Sequence, residues 1–135
     1  MSIIYPVIFT ETHDEKDTYL IEIPDLDGFT EGYGLQDAIK MTRDYIGCAC
    51  YDKEELPEAS SLSEIDASKG TFASDGDSFT TLVDLDLEAY RRKMNNRAVR
   101  RNVSIPAWLN QMIEEKHVNV SKVLQEALKE KFGIA

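Results

Sequence analysis

Asp25, Asp27, Glu31, Asp84 and Asp86 are carboxylates near the ends of strand-like segments, and paired carboxylates at strand ends are what two-metal phosphodiester hydrolysis uses. That chemistry needs several of them converging on ions roughly 4 Å apart. These five lie in turns or on one terminal strand, and their spacing brings no three together. The plain reading is a solvated acidic face. The functional one is an acidic face whose field steers a basic partner. No other catalytic constellation appears. His13 lies in a charged turn and His117 between two helices, each without a serine or cysteine nucleophile to serve. Cys48 and Cys50 stand two apart in a helical pattern, so they point to different faces and are expected as reduced, buried thiols rather than a disulfide. No second cysteine pair or nearby histidine completes a zinc site. Gly28, Gly32 and Gly34 do not open a helix in a phosphate-cradling pattern. The chain is expected to be no enzyme, with no metal and no cofactor.

A second group of residues suits recognition. Residues 100–106 read Arg-Arg-Asn-Val-Ser-Ile-Pro, and strand alternation puts Arg100, Asn102 and Ser104 on one face, with Arg101, Val103 and Ile105 on the other. Val103 and Ile105 must lie on the helices that follow, so the Arg100, Asn102, Ser104 face points outward. Arginine matches guanine O6 and N7, asparagine matches adenine N6 and N7, and serine is a smaller, less selective partner. An exposed polar strand face is often merely wet, but an isolated strand in so small a unit needs a partner strand. Two such strands paired antiparallel about a twofold make a ribbon sized for the major groove.

Two amphipathic helices are expected after this strand. The first follows Pro106, a residue favoured at the first helical position, and carries Trp108, Leu109, Met112 and Ile113. The second has Asn119 as its N-cap, a stripe of Val120, Val123, Leu124, Ala127, Leu128 and Phe132, and Gly133 to end it. The N-terminus of the second helix, with Asn119, Ser121 and Lys122, offers backbone and side-chain donors as a phosphate clamp, and Arg101 joins the DNA-facing set.

Charge divides in the same way. Residues 1–88 hold 21 acidic and 5 basic residues, a net of −16, while 89–135 hold 10 basic and 4 acidic, a net of +6. Arg91, Arg92, Lys93, Arg97, Arg100 and Arg101 form its densest part. A global pI of about 4.6 argues against nucleic acid only until the two parts are separated. An appendage of about 35 residues is too short to bury its own core and is expected to dimerise. The start lacks a basic leader with an apolar run, and no segment nears the roughly 20 apolar residues of a membrane span, so a cytoplasmic protein is expected.

The elements that must hold these residues follow from periodicity. Ile3 to Thr10 is β-branched and aromatic, His13 to Asp17 is a polar turn, and Thr18 to Ile23 alternates as its hairpin partner. Pro24 to Gly28 is a turn, with proline fixing φ and Gly28 free for positive φ. Phe29 to Tyr33 is a third strand. Leu35, Ala38, Ile39, Thr42, Tyr45, Ile46 and Ala49 then form one helical stripe facing a sheet. Residues 52–78 read as loop, and Phe79 to Asp86 as a strand. The expected boundaries are an acidic domain at 1–87, a basic linker at 88–98 and a DNA-binding domain at 99–135.

Tyr5-Pro6-Val7-Ile8-Phe9, Tyr19-Leu20-Ile21-Glu22-Ile23-Pro24-Asp25-Leu26-Asp27-Gly28, Thr30-Glu31-Gly32 and Leu35-Gln36-Asp37-Ala38, in that order, resemble HicB-type antitoxins. Leu56-Pro57-Glu58-Ala59-Ser60 and Leu82-Val83-Asp84-Leu85-Asp86 are similar too, and Asn102-Val103-Ser104-Ile105-Pro106 resembles the ribbon-helix-helix variant of the family. The resemblance covers nearly the whole chain. It implies an α+β protein: a degraded RNase-H-like β-β-β-α-β domain, then a ribbon-helix-helix (β-α-α) domain for dimerisation and DNA binding. It further implies an antitoxin that blocks a small basic HicA-type mRNA-cleaving toxin and represses its own operon as a dimer on promoter DNA. Higher-order assembly with toxin stays open. Asp25, Asp27 and Glu31 are the acids expected to face the toxin. Two departures stand out: Phe29 occupies a position where cysteine is frequent in relatives, and Lys116-His117 a turn where glycine is common, so that His117 or Asn119 would have to take a left-handed backbone. Two other readings stay open, a ligand-sensing ribbon-helix-helix repressor and a residual RNase-H-like RNA-processing enzyme.

Overall fold

Ser2–Thr12 (β1) carries large apolar residues on both of its faces, which suits a strand covered on two sides. In the structure, a computed structural model that describes residues 1–134, β1 is indeed interior. It pairs antiparallel with Thr18–Ile23 (β2) on one side and Gly76–Asp86 (β4) on the other, and Gly28–Tyr33 (β3) completes a sheet of order β3-β2-β1-β4. Pro6 is tolerated in this inner strand because the β1–β2 pairing begins only at Ile8 and Glu22, so its missing N–H interrupts no ladder.

Leu35–Cys50 (α1) lies on the face formed by Tyr5, Val7, Phe9, Ile21, Ile23 and Val83, burying Ala38, Thr42, Ile46 and Cys50 against them. The buried Thr42 hydroxyl donates to the Ala38 carbonyl at 2.7 Å, which removes the cost of enclosing it. Leu35, expected on this stripe, is exposed, since the core begins one turn later at Ala38. The long segment after α1 is irregular apart from two 3₁₀ turns, Leu62–Glu64 and Ala67–Lys69, and it reaches the opposite sheet face. There Gly70 lies against the Ile8 side chain, Thr71 donates to the Glu22 carboxylate, and Phe72 meets Phe29 edge-on at 5.6 Å.

Three local expectations are corrected. The turn after β2 is a 3₁₀ turn, Pro24–Leu26, and its left-handed residue is Asp27 (φ 48°), not Gly28. Gly28 is needed for a different reason: a Cβ there would collide with the Tyr45 ring on α1. β4 starts at Gly76 rather than Phe79, because β1 runs to Thr12 and supplies it with partners that far. Pro106 is the residue before its helix rather than the first within it.

The largest correction is at 88–98. Leu87–Met94 (α2) is a helix, not linker. Asp86 caps it by accepting from the Ala89 N–H at 3.1 Å, and Leu87 and Tyr90 are buried. A Cβ on Gly47 would collide with the Tyr90 ring, so that glycine is what lets α2 seat on α1. Arg91 donates to the carbonyls of Tyr51 (3.0 Å) and Lys53 (3.1 Å), closing the C-terminal end of α1. The chain accordingly divides into one unit of Met1–Arg97 and another from Ala98 onward.

In the second unit Ala107–Lys116 (α3) and Val120–Lys131 (α4) are helices, whereas residues 99–105 form no strand. A strand exists only when paired, and among the described residues of this unit there is no second strand to pair with. Both helices end in the six-to-one pattern that a left-handed residue permits. His117 (φ 52°) lets the Val118 N–H reach Ile113, and Gly133 (φ 68°) lets Ile134 reach Lys129 at 2.8 Å. Among the described residues no helix is long and apolar enough to cross a membrane.

Candidate functional site

The acidic residues separate by what their oxygens already hold. Asp25 sits in the 3₁₀ turn after β2 and accepts from both the Ser60 N–H (2.9 Å) and the Ser60 hydroxyl (2.6 Å), pinning the long segment to the sheet. Asp84 accepts from Arg43 at 2.9 Å, and Asp86 caps α2 while lying near the Met1 ammonium. Glu22 takes Thr71. These four do structural work. Asp84 and Asp86 are exposed but engaged, whereas Asp27 and Glu31 are exposed with no side-chain hydrogen-bond or ion-pair partner among the described residues, and Glu31 lines an open hollow of about 370 Å³ with Asp14, Glu15 and Asp75 over Leu20 and Phe72. Asp25 is therefore set apart from Asp27 and Glu31 by its partners. Among the described residues no three of the histidines, cysteines and acids gather closely enough to hold a metal ion.

Burial perturbs Tyr5, Tyr90 and one thiol. Tyr5, whose hydroxyl donates to the Pro57 carbonyl at 2.7 Å, has its phenol pushed up to about 12, first by burial and then by Cys50. Tyr90 is raised by burial, then by its contact with Cys48 at 3.3 Å and by Asp44. Cys50 is buried and its thiol raised by burial, so it is a poor nucleophile. Cys48, expected to be buried as well, is exposed. His13 lies 3.2 Å from Asp77 across the open end of the β1–β4 pair and joins no catalytic group.

In the second unit Arg100, Arg101 and Asn102 come together with Ser121 around an open hollow of about 610 Å³ floored by Leu124 and Leu128. Ser104 and Lys122 are exposed and outside that hollow. Asn119 caps α4 by accepting from the Lys122 N–H at 3.1 Å, so its side chain is engaged in holding the helix end open toward solvent. Val103 and Ile105, expected to lie on the helices, are 58 % and 42 % exposed. The helix stripes are uncovered too: Trp108, Met112, Val123 and Leu128 are all exposed, and α3 and α4 bury no residue fully. Leu109, Met112, Ile113, Val118, Val120 and Val123 line an almost wholly apolar hollow of about 310 Å³.

The unit boundary also redistributes the charge. Met1–Arg97 holds 21 acids and 9 bases, a net of −12, and the remainder 6 bases and 4 acids, a net of +2. Arg91 belongs to the acidic unit and is committed to the end of α1. Two features escape a linear reading. One is Arg43, which spans from α1 to the β4 backbone with its Nε donating to the Asp84 carbonyl at 3.0 Å. The other is the exposed pair Ile4 and Leu82: Ile4 is hidden in a strand apolar on both faces, and Leu82 is the one large apolar residue on a β4 face otherwise made of Gly76, Ser78, Thr80, Asp84 and Asp86.

A family model described as the HicB-like antitoxin of bacterial toxin–antitoxin systems matches residues 5–128. The structure is similar to a chain of a toxin–antitoxin complex from Streptococcus pneumoniae, with a TM-score of 0.60 at 24 % identity over 97 % of this chain and 99 % of that one. It also matches the antitoxin HicB of Burkholderia pseudomallei, with a TM-score of 0.48 at 22 % identity over 97 % of each chain. No curated protein matches.

Proposed function

The chain belongs to the HicB-like antitoxins of bacterial toxin–antitoxin systems, and from that premise we propose that it neutralises a small basic HicA-type mRNA-cleaving toxin with its first unit and represses its own operon through its second. The first unit, on this reading a degraded RNase-H-like domain, offers a net −12 field to draw in a basic partner, with Asp27 and Glu31 exposed to act in steering. It catalyses nothing itself.

The observation that carries the second half is the uncovered apolar surface of α3 and α4. A unit of this size with Trp108 64 % and Val123 52 % exposed has no core until a second copy supplies one. Pairing two copies about a twofold would also give residues 99–105 the strand partner that one copy lacks, forming the ribbon of a ribbon-helix-helix domain. In that ribbon Arg100, Asn102 and Ser104 face base edges. Arg101, Ser121, Lys122 and the Asn119-capped N-terminus of α4 face phosphates.

Titration of the chain's own promoter DNA tests this. Arg100→Ala and Asn102→Ala each weaken specific binding by about 1–3 kcal/mol, since each removes a base-edge partner. Lys122→Ala lowers affinity evenly across sequences and flattens the salt dependence. Wild-type affinity in both Arg100→Ala and Asn102→Ala would remove the ribbon assignment.

A further inference from the structure

Ile4 and Leu82 are 49 % and 46 % exposed on the sheet face turned away from α1. The β1–β4 register pairs Ile4 with Asp84 and Pro6 with Leu82, which makes Ile4 and Leu82 diagonal neighbours on one face. Farther along, the same face is closed by Gly70 on Ile8, Thr71 on Glu22 and Phe72 on Phe29. That cover stops short of the Ile4–Leu82 end. Leu62, also exposed, lies in the 3₁₀ turn that packs against β4.

The adjoining strand edge is open as well. β4 pairs with β1 alone. The Leu87 N–H donates to the Met1 carbonyl and the His13 N–H to the Asp75 carbonyl, so odd-numbered residues of β4 turn inward to β1. Ser78, Thr80 and Leu82 therefore turn their N–H and C=O groups outward. At Asp84, of the same parity, the outward carbonyl is the one Arg43 occupies. The guanidinium closes that edge at one rung and leaves the rungs beside Leu82 free.

Charge selects the occupant. Asp84, Asp86 and Glu88 rim the Ile4–Leu82 end with exposed carboxylates, Asp84 shared with Arg43 and the other two with the Met1 ammonium, so the rim is partly balanced and the unit's net −12 supplies the larger field. A second copy of this unit brings like charge to like charge, whereas a basic protein surface brings the opposite sign to an apolar centre with an acidic rim. Resting on the toxin reading above, we propose that the basic toxin docks on the Ile4–Leu82 end of the sheet and the outer edge of β4, while Asp27 and Glu31 act only in steering.

Binding kinetics of the full-length chain with the toxin of the adjacent reading frame test this. Leu82→Glu, and separately Ile4→Glu, raise the dissociation rate by at least about tenfold, because they place charge in the apolar centre. Asp27→Lys with Glu31→Lys slows association in a salt-dependent way and leaves dissociation nearly unchanged. Hydrogen exchange of wild-type protein needs no folded variant: the Thr80 and Leu82 amides become protected on adding toxin. Wild-type dissociation by both single variants, with those amides unprotected, overturns the surface while leaving the toxin reading intact. Protection that grows with the chain's own concentration, without toxin, assigns the face to a second copy and also overturns it. No binding by the wild type overturns the toxin reading and this proposal together.

Discussion

Asp25 and Asp27 are two residues apart and have different fates. Both Asp25 oxygens accept from Ser60, whereas Asp27 stands exposed in a left-handed turn. Asp25→Ala leaves the Ser60 donors without their acceptor and should lower unfolding free energy by about 1–3 kcal/mol, read by urea denaturation. Its toxin association rate should stay close to wild type, unlike that of the Asp27 and Glu31 pair. Tyr5 makes a second prediction at this scale. Its folded-state phenol is raised from 10.0 to about 12, so the native state prefers the neutral form. The stability it adds is full below pH about 10 and is lost as pH rises toward about 12. Tyr5→Phe should flatten that part of the stability–pH curve, with Tyr90, Tyr19 and Cys50, all raised in the same direction, contributing to the decline that remains. Unchanged steepness in the phenylalanine variant would assign the alkaline loss elsewhere.

Among the elements, α2 changes the account most. Its basic residues suggest a tether, but Leu87 is fully buried, Tyr90 seats over Gly47, and Arg91 closes the end of α1. Leu87→Ala should cost about 2–5 kcal/mol, the range for truncating a core leucine. A linker residue would cost almost nothing. Proteins ending at residue 97 and at residue 86 make the complementary comparison. The first should melt cooperatively as an independent unit, and the second should melt lower or not fold, as thermal unfolding by circular dichroism would report.

For the whole molecule the decisive quantity is the apolar surface that one copy leaves open on α3 and α4. Val123→Asp puts a charge into that surface at a position assigned no DNA contact. On the dimer reading it should lower the assembled mass in light scattering and abolish operator binding together, because the ribbon and the helix interface form in one step. An Arg100→Ala variant should weaken operator binding while keeping its mass. The two variants thus separate assembly from reading.

The sheet, α1 and both C-terminal helices were legible in the residues themselves. Period two in β2, a stripe at three- and four-residue steps in α1, Asn119 before α4 and Gly133 after it are local signals that secondary structure obeys directly. The HicB-like family was legible too, from segments whose order spans the chain. What the linear chain did not carry was the partner of each side chain. Asp25, Asp84 and Asp86 read as free acids until Ser60, Arg43 and the start of α2 reach them from 35, 41 and 3 residues away. Arg91 read as part of a basic patch until α2 folded onto α1. Ile4 lies within an apolar run like any core residue and Leu82 stands between threonines and aspartates, and both are left exposed because the segment after α1 covers their sheet face at Ile8, Glu22 and Phe29 instead. Periodicity fixes which way a side chain points. What it meets there depends on which distant segment arrives, and that is decided by packing in three dimensions.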